Sequence, residues 1–102
     1  MQEFFAGVWE AVKLVPEGCV TTYGDIAKHL GRPRHARQVG YALHCNPDPD
    51  NIPCHRVVNG KGKVSEAFAF GGANMQYQLL LDEGVVFLNE SFVDISKHRF
   101  IF

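Results

Sequence analysis

Proline and glycine cut this chain into short pieces, and that constrains its fold more than any other feature of the sequence. Pro16 and Gly18 close the first apolar segment, Gly31 and Pro33 the second, and Asn46-Pro47-Asp48-Pro49-Asp50-Asn51 ends a third. Asn59-Gly60 with Gly62, then Gly71-Gly72 and Gly84, punctuate the remainder. Between the breaks the apolar residues mostly follow a helical period. Phe4, Val8 and Val12 lie four apart, with Phe5 and Trp9 widening the same face, and predict a helix over 2–14. Thr22 with Asp25 three positions on is an N-cap arrangement opening a short helix over 23–30 that buries Ile26, Ala27 and Leu30. A second short helix runs to about His44 with Ala36, Val39, Gly40 and Leu43 inside; the small Ala36 and Gly40 predict a close backbone neighbour. A further helix over about 74–82 has Met75, Leu79 and Asp82 at helical spacing, with Leu80 and Leu81 widening its buried side. Lys63-Val64-Ser65 is expected to pair back on Val57-Val58 as a small hairpin. Val85–Phe87 and Val93–Ile95 read as short extended pieces, and Arg99-Phe100-Ile101-Phe102 as an apolar end packed on the body. The expectation is a mainly α domain with short β pieces, one domain over residues 1–102.

Of the 102 residues 46% are hydrophobic, enough for a modest core and too many for a disordered tail. No apolar run reaches the roughly 20 residues needed to span a bilayer. The N-terminal MQEFFAGVWEAV has no basic region ahead of its apolar residues, so no secretory signal is read and cytoplasmic residence without membrane association is the expectation. Three cysteines, Cys19, Cys45 and Cys54, are an odd, unevenly spaced set and read as reduced thiols, with Cys19 expected in the core. The formal net charge of -1 hides a local excess. From Ile26 through Pro47 there are Lys28, Arg32, Arg34 and Arg37 and no acidic residue. Two short helices with a short connector, the second carrying the arginines, outline a helix-turn-helix. The same outline fits a small helical protein that binds another protein, with its basic helix merely solvated.

Cys54 beside His55 is the sharpest chemical feature. A thiol is a nucleophile as thiolate, and a nearby imidazole lowers its pKa. The plain alternative is a small buried side chain next to a solvated imidazole; Pro53, which fixes the preceding backbone, favours a cysteine held in a defined turn. His44, Cys45, Cys54 and His55 lack the spacing of zinc ligand pairs, so no metal is expected, and nothing calls for a cofactor. Arg37 and Tyr23 have ordinary readings, a solvated arginine and a half-buried aromatic. Glu83, in the last turn of its helix, carries a charge that the helix dipole disfavours and needs a local partner or exposure. Gly60-Lys61-Gly62 is too short for a phosphate loop.

Thr21-Thr22-Tyr23-Gly24-Asp25-Ile26-Ala27, Ala36-Arg37-Gln38-Val39-Gly40, Asn46-Pro47, Ile52-Pro53-Cys54-His55-Arg56-Val57-Val58 and Leu80-Leu81-Asp82-Glu83-Gly84 occur in that order. Together they resemble the DNA-binding and catalytic domain of O6-alkylguanine-DNA alkyltransferases, over about residues 3–87. The resemblance implies a winged-helix-like helix-turn-helix domain and a role for each motif residue. Cys54 would accept an alkyl group from the O6 of guanine, once, with His55 acting as base through a water and Glu83 orienting it. Asn46 would brace the turn before the active-site strand, and Arg56 would tie loops together. Tyr23 would help rotate the nucleotide out, and Arg37 would fill its place in the stack. Arg34, Thr22 and Gln38 would complete a DNA surface that enters the minor groove. The implied partner is alkylated double-stranded DNA, bound by a monomer. Two features differ from the common pattern: Ser65–Gly72 contains no tyrosine, and the closing Val85–Ile95 segment is more similar to the alkyltransferase-like proteins, which usually carry Trp or Ala where this chain has Cys54. Those proteins bind alkylated guanine without repairing it and pass it to nucleotide excision repair proteins, which is the alternative the resemblance implies.

Overall fold

The computed structural model describes residues 2–102. Its elements in chain order are α1 (Gln2–Lys13), β1 (Thr21–Thr22), α2 (Tyr23–His29), α3 (Ala36–His44), a 3₁₀ turn (Cys54–Arg56), β2 (Val57–Val58), α4 (Gly72–Asp82) and α5 (Ile95–His98). The expected mainly helical domain with short strands is what the chain forms. Thr22 caps α2 as its sequence position indicates, its hydroxyl accepting the Asp25 N–H at 3.0 Å. Asp25 itself is held from the far end of the chain by two bonds from Arg99, at 2.7 and 2.8 Å.

Two apolar clusters lie on either side of the strand pair. Val8, Ala11 and Val12 of α1 pack with Ile26, Ala27, Val39, Ala42 and Leu43 of the helix-turn-helix, and Cys54 and Val57 join them. Val20, Val58, Val64, Leu80, Val85 and Val93 form the second cluster. Successive side chains of a strand point to opposite faces, so Val57 enters one cluster and Val58 the other. β2 thereby stitches the helix-turn-helix to the C-terminal half, directly beside Cys54. Trp9 adds a polar tie, its indole N–H donating to the Ala42 carbonyl at 2.8 Å.

Several local expectations are corrected. β2 does not pair with residues 63–65; it pairs in parallel with β1, Thr21 opposite Val57 and Thr22 opposite Val58. The reversal at 59–62 is present, but Lys63 bridges to Phe92 instead, and Phe87 bridges to Val93. These short antiparallel contacts make the wing. Gly62 is required there: its φ is +91°, and a Cβ would lie 2.6 Å from the Val93 oxygen. Ile95 belongs to α5 and not to an extended piece. The buried face of α4 is Gln76 and Leu80, and Met75 is exposed. Cys19 is half-buried and outside both clusters. A Cβ at Gly40 would meet no atom within 4 Å, so its smallness opens space and does not admit a backbone. At the C-terminus, the Val20 N–H donates to the His98 carbonyl at 2.9 Å and the Val20 carbonyl accepts the Phe100 N–H at 2.7 Å, which docks the last residues; Phe102 stacks on His29 at 4.4 Å, while Ile101 stays exposed.

Candidate functional site

Cys54 opens the 3₁₀ turn, and two short-range devices fix it. Asn46, buried after α3, donates from Nδ2 to the Ile52 carbonyl at 2.9 Å and accepts the Asp48 N–H on Oδ1 at 2.8 Å. Those bonds close the proline-rich loop, and the Cys54 N–H donates back to Ile52 O at 2.7 Å. Cys54 is 6% exposed. Burial pushes its thiol pKa up, and hydrogen bonding from Asn46 and from the Cys54 backbone opposes that shift without cancelling it.

The next two residues of the turn converge on one carboxylate. His55 Nε2 lies 2.6 Å from Glu83 Oε2, and Arg56 donates from Nη2 and Nε to the same group at 2.9 and 3.0 Å. Arg56 Nη1 also reaches the Val15 carbonyl at 2.9 Å, tying the turn to the loop after α1. Burial alone would raise the Glu83 carboxyl, but hydrogen bonds and charge from Arg56 and His55 outweigh it and hold it below the usual carboxylate range. The charge that the helix dipole disfavours at the end of α4 thus has its local partners. With Nε2 engaged by Glu83, His55 keeps Nδ1 for another proton acceptor or donor.

A cavity of about 410 Å³ lies over Cys54, in the size range of small-molecule sites. Tyr23, the exposed Arg37, Gly40, Phe68 and the buried Gln76 line it together with Cys54. Arg37, Gly40, Tyr41 and His44 follow one another at helical spacing along α3 and present one edge of that helix to the cavity mouth. Tyr23, the first residue of α2, is half-buried; burial pushes its phenol up, with Ser65 hydrogen bonding opposing it. The cavity thus gathers Cys54, Tyr23 and Arg37, while His55, Glu83 and Arg56 lie behind Cys54 and Asn46 braces its turn. The other residues expected at a DNA surface sit apart from it. Arg34 is exposed in the connector before α3. Thr22 is 3% exposed with its hydroxyl committed to the α2 cap, so what it provides is the placement of Tyr23. Gln38 is half-buried, and its Oε1 has no hydrogen-bond partner.

One site residue was not anticipated. Gln76, 1% exposed, donates from Nε2 to the carbonyls of His55 and Val57 at 3.0 and 2.8 Å and accepts the Ser65 N–H on Oε1 at 2.7 Å. In sequence it is an unremarked polar residue within an apolar helix. The signal that could have found it is its helical spacing, four before Leu80, on the side that proves to be buried.

A helix-turn-helix pair joined to a wing, with a cysteine-floored cavity beside the second helix, defines a winged helix-turn-helix DNA-binding domain of the alkyltransferase kind. Residues 3–85 match the family described as 6-O-methylguanine DNA methyltransferase, DNA binding domain. The chain belongs to this family of O6-alkylguanine-DNA alkyltransferases and DNA base-flipping proteins. It is 45% identical over 92 residues to the DNA base-flipping protein of Escherichia coli, covering 90% of this chain and 70% of that protein. The crystal structure of the Schizosaccharomyces pombe alkyltransferase-like protein in complex with DNA superposes with a TM-score of 0.85 at 35% identity, covering 98% of this chain and 96% of that one. The Mycobacterium tuberculosis O6-methylguanine methyltransferase gives 0.71 at 40% identity, over 79% of this chain and 48% of the larger protein. The family therefore spans methyltransferases and alkyltransferase-like proteins, and this chain is similar to both.

Proposed function

We propose that this protein binds duplex DNA along α3, turns an O6-alkylated guanine out of the stack into the cavity over Cys54, and takes the alkyl group once onto that cysteine. The observation that carries the reading is the cavity itself: a nucleophile at its floor, a hydrogen-bonded His55–Glu83 pair behind it, and Arg37 and Tyr23 at its mouth. Extruding a base costs a few kcal/mol, and a guanidinium at the vacated position offers both a stacking plane and a charge. Arg37 is exposed and lines the cavity, which suits it to that place; Tyr23 lines the same cavity, and in this reading it crowds the rotating nucleotide. Contacts from Arg34 and the start of α3 to phosphates give affinity with no sequence preference.

The transfer step balances simply. The thiol proton passes through a water to His55, whose imidazolium is steadied by the Glu83 carboxylate. Sulfur then bonds to the alkyl carbon as the carbon–O6 bond breaks, its electron pair going to the guanine. The guanine ends with the proton and the normal base is restored. On this reading the thioether is stable and no step returns the thiol, so one protein molecule removes one lesion. Burial disfavours the Cys54 thiolate, and on this reading that slows the transfer.

That same burial favours a second reading, in which the lesion is bound, left unrepaired and passed to nucleotide excision repair proteins, with Cys54 as a pocket wall. Both readings require lesion-dependent duplex binding. Equilibrium titration of duplexes with and without one O6-methylguanine, between about 50 and 200 mM salt, tests that shared part. The expected result is tighter binding of the modified duplex and a steep fall of both affinities with salt. Equal binding of the two duplexes overturns the base-recognition reading, and no binding at low salt overturns the DNA reading altogether.

A further inference from the structure

We propose that Gln76 is a positioning residue that sets the width of the cavity and, through it, the discrimination between alkylated and unmodified guanine; this rests on the cavity being the seat of the flipped base. One wall of the cavity comes from the segment before α4, through Ser65, Ala67, Phe68 and Ala69. Most backbone hydrogen bonds of this segment stay at home. Ala67 N–H donates to the Ser65 hydroxyl at 3.1 Å, Phe68 N–H to Ser65 O at 3.2 Å, and Phe68 O accepts from Gly72 at the head of α4 at 2.9 Å. The Ser65 N–H is the exception, and its acceptor is Gln76.

Gln76 therefore joins two walls. One end of its amide grips the turn that carries Cys54, through the His55 carbonyl, and β2, through the Val57 carbonyl; the other end grips the first residue of the outer wall. All three bonds are between 2.7 and 3.0 Å, and both amide hydrogens and the oxygen are used. Ser65 and Tyr23 both line the cavity, so the residue that Gln76 holds belongs to the pocket itself. At its other end the wall turns at Gly71, whose φ of +126° is open to glycine, and a Cβ there would lie 2.6 Å from that of Met75. A wall hinged on glycine at one end and bonded to a side-chain amide at the other takes its spacing from that amide. In a pocket whose reacting atoms must come within about 3–3.5 Å, a shift of about 1 Å is consequential.

The test is a titration of the full chain and of Gln76→Met, which keeps length and apolar bulk but none of the three bonds, against O6-methylguanine and unmodified duplexes. Ser65→Pro, compared with Ser65→Ala, removes the same bond from the other side and serves where Gln76→Met does not fold. The expected result is a fall of about tenfold in affinity for the modified duplex, with the unmodified duplex held within about twofold. Ser65→Ala loses the hydroxyl but retains the N–H, so it measures the hydroxyl's own share, and Ser65→Pro is expected to lower the affinity for the modified duplex well below that of Ser65→Ala. Equal losses on both duplexes assign Gln76 a merely structural part and overturn the proposal, as does a discrimination ratio unchanged in both Gln76→Met and Ser65→Pro. If the parent itself does not discriminate, the reading of the cavity fails, and the proposal falls with it.

Discussion

Replacing Glu83 by glutamine probes the group on which the site's electrostatics turn. The change preserves shape and one acceptor oxygen but removes the charge facing His55 and Arg56. Breaking a fully buried ion pair costs about 3–5 kcal/mol. Here the side chains are 10% exposed at Glu83 and 17% at Arg56, and a glutamine oxygen still accepts, so about 2–3 kcal/mol is expected. For a domain of this size that is a fall in Tm of about 10–20 °C. The pH dependence follows from the direction of the shift. Glu83 is held below the usual carboxylate range, so its stabilisation is complete above the unfolded-state pKa of about 4.3 and is lost as pH falls through the lower folded value. Urea unfolding of parent and Glu83→Gln at pH 7 and through the acid range measures both. The difference should be full at pH 7 and shrink below about pH 4. A difference under about 0.5 kcal/mol at pH 7, or one that persists unchanged into acid, refutes the ion-pair account.

Arg37→Ala should weaken binding of an O6-methylguanine duplex by about 1–3 kcal/mol while leaving the urea midpoint in place, because the side chain is exposed. Tyr23→Ala should reduce both binding and stability, since the ring packs against the first apolar cluster; unchanged binding in both variants would remove their flipping roles. In brief, limiting labelling with iodoacetamide, exposed Cys45 should react before buried Cys54, whose thiol is pushed up by desolvation, and peptide mapping showing Cys54 first would contradict that order.

What was legible in the sequence divides by the range of the interaction. Thr22 announces its cap because donor and acceptor lie three residues apart, and the face of α1 shows because its apolar spacing is regular. The motifs around Tyr23, Arg37 and Cys54 identify the family, since their order and composition are specific. The parallel pairing of β1 with β2 was hidden: two-residue strands have no period to read, and their partners are far apart in the chain. The face of α4 is legible only in part: Leu80 is buried as expected, but Met75 and Leu81 are exposed, because Leu79, Leu80 and Leu81 surround most of the helix with apolar side chains. The other buried position is Gln76, whose partners are distant backbone groups and whose spacing to Leu80 is its one local sign. Glu83 stands between these cases. Its awkward place at a helix end signalled a partner, and Arg56 with His55 are the partners found.

The central claim is that Cys54 takes the alkyl group from a base held in the cavity above it. Intact mass of the protein after incubation with excess O6-methylguanine duplex, at concentrations that saturate binding, tests it directly. The account predicts a gain of about 14 Da, one methyl in exchange for one proton, mapped to Cys54 and absent from Cys54→Ala, with no second addition. An unchanged mass after prolonged incubation of the fully bound protein would contradict it, and Cys54 would then be a wall of a pocket that recognises the lesion and leaves it intact.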